Sequence, residues 1–223
     1  MRSMSLAFRK FTKSLERGFK TVVLRRKSKL SHRNVEVFEH LGPDDSAIDC
    51  GADVGEVTEV MGRRGAKVYA FEPNPYAFDV LQKRFADNPR VICLNKAVSD
   101  RDDVLKLFLH EKADRDPLGR SNSSSLLGVK SNINPDNWVE VEAINLADFI
   151  KQLSAPVALI KMDIEGAEFD VLDHLLECDV LSNVGNVFVE THEKRIPSLQ
   201  QRKERLQQLM QERNITNVNL NWN

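Results

Sequence analysis

Short apolar runs alternate with amphipathic segments along most of this chain. Each run is a few residues long and rich in Val, Ile, Leu and Ala, which is typical of strands buried on both faces of a sheet. The segments between the runs repeat apolar residues every three or four positions, which predicts helices. This alternation predicts an α/β fold, with a mostly parallel central sheet and helices on both faces.

The hydrophobic pattern gives the positions of the predicted elements. Parallel strands are predicted at Ala47–Cys50, Lys67–Phe71, Val91–Leu94, Val157–Met162 and Asn186–Glu190. Alternating polarity predicts further strands at Val104–Leu109, Val139–Ile144 and Val218–Trp222. Helices are predicted after Gly55, after Asn74-Pro75, from Asp163, and at Asn34–Leu41, Leu146–Leu153 and Leu199–Arg213. A polar loop, Glu111–Asn137, either covers a functional site, selects a substrate or is a solvated linker.

The turn after the first strand carries the clearest chemical signal. The strand ends in Gly51-Ala52-Asp53-Val54-Gly55, a helical segment follows, and the second strand ends at Glu72. Glycines let the backbone turn sharply and let a ligand come close, and the following helix directs its amide groups at that ligand. A carboxylate at the tip of the neighbouring strand can accept hydrogen bonds from both hydroxyls of a ribose. We therefore predict a nucleoside site; a strand–turn–helix without a ligand is the alternative.

The charges around this turn indicate which nucleoside it binds. The turn lacks the G-x-G-x-x-G spacing of a dinucleotide site, and Asp49 and Asp53 would repel a pyrophosphate. S-adenosylmethionine (SAM) carries an ammonium and a sulfonium and no phosphate, so we predict SAM, with Asp49 or Asp53 facing its ammonium group. Asn95, Ala97 and Val98 follow the third strand, where loops line the ligand crevice. We predict that they touch the adenine; the alternative is a plain strand-to-loop transition.

A second polar group follows the fourth and fifth strands. Asp163 and Glu165 come directly after the fourth strand, and such a cluster of carboxylates is costly unless it binds something. Glu168 is explained equally well as a partner of the helix dipole. His192 follows the fifth strand and is either structural, a base or a metal ligand. We assign Asp163, Glu165 and His192 to catalysis and Asp163 also to the cofactor; no metal ligand is assigned from the sequence.

Charge divides the chain into two parts. Residues 1–33 contain 11 basic residues and one acid, whereas the remainder has 21 basic and 32 acidic residues. We therefore predict a basic amphipathic arm at residues 1–33, followed by a single domain at residues 34–223. The arm binds an anionic membrane surface, contacts nucleic acid phosphates or packs on the acidic domain, and the sequence leaves these alternatives open.

Cysteine usage and hydropathy indicate the compartment. The three cysteines show no C-x-x-C spacing, so we expect a reducing environment without disulfides or a zinc site. No run is long and apolar enough to span a bilayer, and basic residues interrupt the apolar runs of the N-terminus. We therefore expect a cytoplasmic protein, or one held at the membrane periphery by its arm.

The sequence resembles the FkbM family of SAM-dependent methyltransferases. The main matching blocks are Asp49–Gly55, Phe71–Pro75 and Ile160–Glu168, and weaker ones are Asn95–Asp100, the serines before Leu126, and Glu190–His192. The resemblance implies a Rossmann-like class I methyltransferase fold and transfer of the SAM methyl group, usually to a hydroxyl of a sugar, glycan, lipid or secondary metabolite. The basic arm and the shortened final antiparallel strands depart from the family pattern.

Two other functions stay open at this point. A nucleic-acid methyltransferase would use the basic arm, although the fourth strand is followed by Asp163-Ile164-Glu165-Gly166 and not by an Asn-Pro-Pro-Tyr-like block. A non-catalytic module would bind SAM or a partner without transferring a methyl group.

Overall fold

The computed structural model describes residues 36–110, 133–193 and 196–222. The predicted arm at residues 1–33 lies outside these ranges, as does the greater part of the predicted loop Glu111–Asn137. None of the helices in the described ranges combines the length and the apolar character that crossing a bilayer requires.

A six-stranded parallel sheet forms the centre of the described structure. Its strands are β1 (Ser46–Cys50), β2 (Lys67–Phe71), β3 (Val91–Leu94), β7 (Val157–Met162), β8 (Val184–Val189) and β9 (Val218–Asn219). They lie in the order β3-β2-β1-β7-β8-β9, and every neighbouring pair is parallel. The predicted mostly parallel sheet is confirmed. The last strand is shorter than predicted, and it pairs parallel to β8, whereas the family pattern led us to expect antiparallel strands at this edge.

A second, three-stranded sheet was not predicted. It contains β4 (Ala97–Ser99), β5 (Asp103–His110) and β6 (Ile133–Asn145), in the order β4-β6-β5. The predicted loop Asn95–Asp100 therefore contains a strand, and β6 begins inside the segment predicted as the polar loop Glu111–Asn137. The sheet encloses its own small apolar cluster, made by Ala97, Leu107, Val141 and Ala143. Burial of this cluster explains why so short a segment as β4 pairs at all.

Helices cover both faces of the central sheet, as predicted. They are α1 (Glu56–Gly62), α2 (Pro75–Arg84), α3 (Leu146–Gln152), α4 (Glu168–Glu177) and α5 (Gln200–Glu212). Successive strand residues point to opposite faces: Ala47 packs in the cluster that contains apolar residues of α1 and α2, and Ile48 packs in the one that contains those of α3, α4 and α5. Asn74 caps α2 through its side chain, with Pro75 in the first turn, which confirms the predicted helix start.

Two helix predictions need correction. The segment Asn34–Leu41 was predicted as a helix, but among its described residues only Glu36–Phe38 form a short 3₁₀ turn. The helix predicted from Asp163 begins at Glu168. Glu165 and Gly166 have φ values of +61° and +117°, and this left-handed backbone is incompatible with a right-handed helix. The acidic segment after β7 is therefore a turn that precedes α4.

The strand order changes direction between β1 and β7. The chain builds β2 and β3 on one side of β1, and then returns to build β7, β8 and β9 on the other. In open parallel sheets, ligands bind outside the carboxyl ends of the strands at such a reversal. The residues that follow β1 and β7 therefore flank the expected crevice.

Candidate active site at the ends of β1, β2, β7 and β8

The sharp glycine turn predicted after β1 is present, and the structure shows that its two glycines have left-handed backbone. Gly51 and Gly55 have φ values of +77° and +84°. A Cβ atom at Gly51 would overlap the carbonyl oxygen of Asp163, and one at Gly55 would lie 2.5 Å from the Phe85 ring and 2.7 Å from Leu81. Both glycines are therefore required by the backbone conformation and by contacts within the protein, and not only by the approach of a ligand.

Glu72 is held in place by backbone donors of the neighbouring turns. Its Oε2 accepts a hydrogen bond from the amide of Asp53 at 2.7 Å, and its Oε1 accepts one from the amide of Asn74 at 2.8 Å. The side chain of Asn95 donates to the backbone carbonyl of Glu72 at 2.8 Å. Both carboxylate oxygens of Glu72 therefore lie against backbone donors, at the point where β1 and β2 end.

Asp49 is buried inside the protein. Its side chain accepts a hydrogen bond from the hydroxyl of Thr58 at 2.6 Å and lies 3.2 Å from the ammonium of Lys161. Asp49 is fully inaccessible to solvent, so its carboxylate does not face an open ligand crevice. Of the two aspartates predicted to face the SAM ammonium, only Asp53 remains, in a half-buried position on the turn.

Ala97 and Val98 are also buried, contrary to the predicted contact with adenine. Ala97 is 1% exposed and packs in the apolar cluster of the three-stranded sheet, and Val98 packs in the core beside α3 and α4. The prediction is wrong for these two side chains, because a short strand replaces the predicted open loop. Asn95 is exposed beside Glu72. Of the three residues predicted to touch adenine, it is the one whose side chain is accessible to a ligand.

Lys161 stabilises the glycine turn from its buried side. Its ammonium donates to the backbone carbonyls of Gly51 at 2.7 Å and Cys50 at 3.3 Å, in addition to its ion pair with Asp49. The sequence showed this lysine only as a basic residue near the end of an apolar strand. Its role as a buried support of the turn depends on the pairing of β1 with β7. A pattern of hydrophobicity does not reveal which strands pair.

The ends of β7 and β8 bring the predicted catalytic residues together. Nε2 of His192 lies 3.4 Å from Oε2 of Glu165 and 3.6 Å from Oδ1 of Asp163. One side-chain oxygen or nitrogen of each of these residues lies within 4.8 Å of the other two. His192 is 2% exposed, whereas both acids are half-buried. We call Asp163, Glu165 and His192 the acidic cluster.

Glu168 belongs to the same site, although its position in the first turn of α4 suggested a simple dipole partner. Its Oε1 lies 3.0 Å from Nδ1 of His192, and the side chain is fully buried. The backbone amides of Ile164 and Gly166 donate to its carboxylate at 3.0 and 2.9 Å. Glu168 therefore fixes the imidazole ring and closes the turn that carries Asp163 and Glu165.

Burial and charge act on His192 in opposite directions. Burial alone would lower the pKa of His192, because it disfavours the charged imidazolium. The hydrogen bond with Glu168 and the negative charges of Glu168, Glu165 and Asp163 outweigh burial and raise the pKa of His192 above its ordinary value. The site is therefore strongly favourable for a positive charge.

The backbone around His192 is tied to α5 and to the end of the chain. Lys203 donates to Thr191 at 3.0 Å, to Glu193 at 2.9 Å and to Asn221 at 3.2 Å. Lys203 is almost fully buried, and it was invisible to the sequence pattern because it lies on an otherwise polar helix. These bonds hold both neighbours of His192.

Comparisons with known proteins agree with this architecture. The model of the methyltransferase FkbM domain matches residues 49–216. A protein called methyltransferase 1 from Beauveria bassiana is 28% identical over 159 residues, which are 64% of this chain and 64% of that protein. The ribosomal RNA small subunit methyltransferase A of Bacillus cytotoxicus is 34% identical over 74 residues, 33% of this chain and 23% of that enzyme.

The chain thus spans just under two thirds of the fungal relative and about a quarter of the bacterial one. Among solved structures it matches TYW2 of P. horikoshii, crystallised in complex with MeSAdo, at 26% identity over 30% of this chain and 26% of that one, with a TM-score of 0.27. So low a TM-score carries no argument about this chain. The family model covers most of the domain and includes the glycine turn and the acidic cluster, so the chain belongs to the FkbM methyltransferase family.

Proposed function

We propose that this protein is a SAM-dependent methyltransferase that acts on a hydroxyl group of a sugar, glycan, lipid or secondary metabolite. The observation that carries the proposal is the contact between the glycine turn and the acidic cluster. Gly51 packs so closely against the backbone of Asp163 that a Cβ atom would not fit between them. A cofactor bound on the turn and an acceptor bound at the cluster would therefore be neighbours.

The residues at the ends of β1 and β2 fit SAM. The carboxylate of Glu72, held by the amides of Asp53 and Asn74, would accept hydrogen bonds from the ribose hydroxyls, and Asp53 would lie near the ammonium group. Gly51 and Gly55 shape the turn, Asn95 would lie near the adenine, and Asp163 would border the cofactor at the edge of the cluster. SAM supplies a methyl group already activated by its sulfonium, so the protein has mainly to position the acceptor and exclude water.

The acidic cluster would serve the acceptor. The acceptor oxygen attacks the methyl carbon in line with the leaving sulfur, so that a C–O bond forms as the C–S bond breaks. Carboxylates of Asp163 and Glu165 can accept the hydrogen bond of the hydroxyl and take its proton, with His192 held beside them by Glu168. Such a base assists the transfer and is not obligatory.

Calorimetry of the purified chain with SAM, S-adenosylhomocysteine and NAD tests the cofactor. We expect binding of both adenosyl-sulfur compounds and none of NAD. Binding of NAD alone, or of none of the three, would overturn the assignment. Transfer of labelled methyl from SAM to glycans, lipids and small alcohols then tests the acceptor. Label found in any of these acceptors, and lost with an acceptor whose hydroxyl is blocked, also excludes a non-catalytic module.

Nucleic acid is a second candidate acceptor. The similarity to a ribosomal RNA methyltransferase over 74 residues and the basic residues 1–33 favour it. A basic segment of this kind would bind phosphates in a salt-dependent manner. The same labelling experiment with total RNA and with DNA separates the two proposals, because label in nucleic acid and not in hydroxyl compounds would replace the first by the second.

A further inference from the structure

We propose that Asp163, Glu165 and His192 form a divalent metal site that binds the acceptor hydroxyl. The inference rests on the methyl transfer proposed above and deepens it, since it names how the acceptor is held and activated. It depends on the geometry of the cluster, on the state of each nitrogen of His192, and on the position of the cluster beside the glycine turn.

The separations within the cluster match those of atoms that share a metal ion. Ligand bonds near 2.0–2.2 Å place neighbouring ligand atoms about 2.8–3.1 Å apart in octahedral geometry and about 3.3–3.6 Å apart in tetrahedral geometry. Nε2 of His192 lies 3.4 Å from the Glu165 oxygen and 3.6 Å from the Asp163 oxygen. These distances are longer than ordinary hydrogen bonds between nitrogen and oxygen, so Nε2 faces both carboxylates without bonding to either.

The other nitrogen of His192 has the partner that metal-bound histidines usually have. Nδ1 lies 3.0 Å from Oε1 of Glu168, and a histidine that binds metal through one nitrogen commonly donates the other N–H to a carboxylate. Glu168 is itself fixed by the amides of Ile164 and Gly166. A proton held on Nδ1 by Glu168 leaves the lone pair of Nε2 directed at Asp163 and Glu165.

Burial makes this arrangement costly unless a cation completes it. His192 is 98% shielded from solvent, and neither ring nitrogen makes a hydrogen bond of good geometry among the described residues, although Nδ1 has Glu168 Oε1 at 3.0 Å and Nε2 has no oxygen that close. A buried polar atom without a partner costs about 1–3 kcal/mol. The turn also keeps Glu165 at a positive φ of +61°, a conformation that is uncommon for a non-glycine residue. A bound cation would satisfy Nε2 and offset the repulsion of the carboxylates.

The donor set indicates the class of metal and leaves room for a substrate. Two carboxylates and one imidazole suit Mn²⁺, Co²⁺ or Zn²⁺, and three protein ligands leave coordination positions open, as in catalytic sites. A hydroxyl bound there would lose its proton more readily. Because Asp163 packs on Gly51, that oxygen would lie beside the cofactor turn.

Metal binding can be measured without an acceptor. The full chain is stripped with EDTA and titrated with Mn²⁺, and free Mn²⁺ is followed by electron paramagnetic resonance; Co²⁺ absorption reports on nitrogen ligation. We expect one saturable site per chain. Glu165→Gln and His192→Gln should weaken Mn²⁺ binding at least about tenfold, and Glu168→Gln, which acts through His192, about 10–100-fold. Glu165 is half-buried at a turn, so Glu165→Gln is the variant least expected to disturb folding.

Asp79→Asn is the matched control, because it removes an exposed carboxylate from α2. Its Mn²⁺ affinity should equal that of the wild type. Absence of saturable binding in the wild type, or unchanged binding in Glu165→Gln and His192→Gln, overturns the metal site. Calorimetry with S-adenosylhomocysteine on the same samples tests the proposed function separately. Binding of S-adenosylhomocysteine without binding of Mn²⁺ would overturn the metal site and leave the proposed function standing.

Discussion

The ammonium of Lys161 lies 3.2 Å from the carboxylate of Asp49, and both groups are buried at paired positions of β1 and β7. The pair neutralises a carboxylate that the sequence suggested for the cofactor. The lysine also donates to the carbonyls of Cys50 and Gly51. Lys161 and Asp49 therefore support the glycine turn from the buried side and do not face the crevice.

Lys161→Met should destabilise the protein strongly. The substitution keeps much of the apolar stem but leaves the charge of Asp49 buried without its partner, which costs about 3–5 kcal/mol. The double variant Asp49→Asn/Lys161→Met removes both charges and should recover part of that loss. Urea unfolding of the wild type and the two variants measures the free energies. Equal stability of the single and double variants would show that the ion pair is not what Lys161 contributes.

Gly51→Ala should lose about 2–4 kcal/mol of unfolding free energy, because the methyl group would overlap the backbone of Asp163 and φ is +77°. Gly42→Ala is the matched control: its added Cβ would meet only an Asp45 oxygen at 3.8 Å, an ordinary contact. Thermal and urea unfolding of both variants gives the comparison. Similar stabilities would contradict the close contact between the turn and Asp163.

Glu72→Gln should lower the affinity for S-adenosylhomocysteine at least about tenfold, because a hydrogen bond to a charged acceptor contributes about 1.5–3 kcal/mol. Gln is preferred to Ala here, since Glu72 also accepts from the amides of Asp53 and Asn74; Gln retains an acceptor for one of these amides, whereas Ala removes both. Calorimetry gives the affinity, with Glu39→Gln at an exposed site as control. Unchanged affinity would remove Glu72 from the cofactor site.

Lys203→Met should reduce methyl transfer more than it reduces cofactor binding. Lys203 holds Thr191 and Glu193 on either side of His192 and makes no contact with the glycine turn. Arg205→Met, at an exposed position of the same helix, is the control. Turnover with labelled SAM and calorimetry with S-adenosylhomocysteine are measured together. A parallel loss of both in Lys203→Met would show general unfolding and not a role in holding His192.

Cys50 should resist alkylation in the native protein. Burial raises the pKa of its thiol, the charge of Asp49 raises it further, and Lys161 only partly opposes them, so little reactive thiolate forms at neutral pH. Iodoacetamide labelling followed by mass spectrometry should modify Cys50 only after denaturation, with the partly exposed Cys178 as the internal reference. Equal labelling of both cysteines in the native state would mean that the end of β1 opens readily.

The sequence predicted the central architecture because that architecture rests on local patterns. Continuous apolar runs predicted the parallel strands of the central sheet, and Gly51 and Gly55 predicted a sharp turn that is present, with left-handed backbone at both glycines. The three residues of the acidic cluster were found because each lies within three residues of the end of a strand of the parallel sheet. Position at a strand end is a local property, and topology then brings such residues together.

What the sequence could not provide depends on contacts between distant segments. The burial of Asp49 follows from a lysine on another strand, and that of Ala97 from a three-residue strand too short to show alternation. Glu168 was explained equally well as a partner of the helix dipole at the start of α4, so the sequence carried no separate sign of its contact with His192. Lys203 lies on a helix whose pattern gives no reason to bury a charge.

The pairing of β1 with β7 also has a kinetic consequence. The hydrogen bond from Lys161 to Cys50 joins residues 111 positions apart, and contacts of such long range form slowly because the entropy of loop closure must be overcome first. The glycine turn follows β1 and the acidic cluster follows β7 and β8, so the two lie on opposite sides of the boundary between β1 and β7. A nascent chain that has not yet synthesised and docked β7 therefore lacks both the acidic cluster and the support that Lys161 gives to the glycine turn.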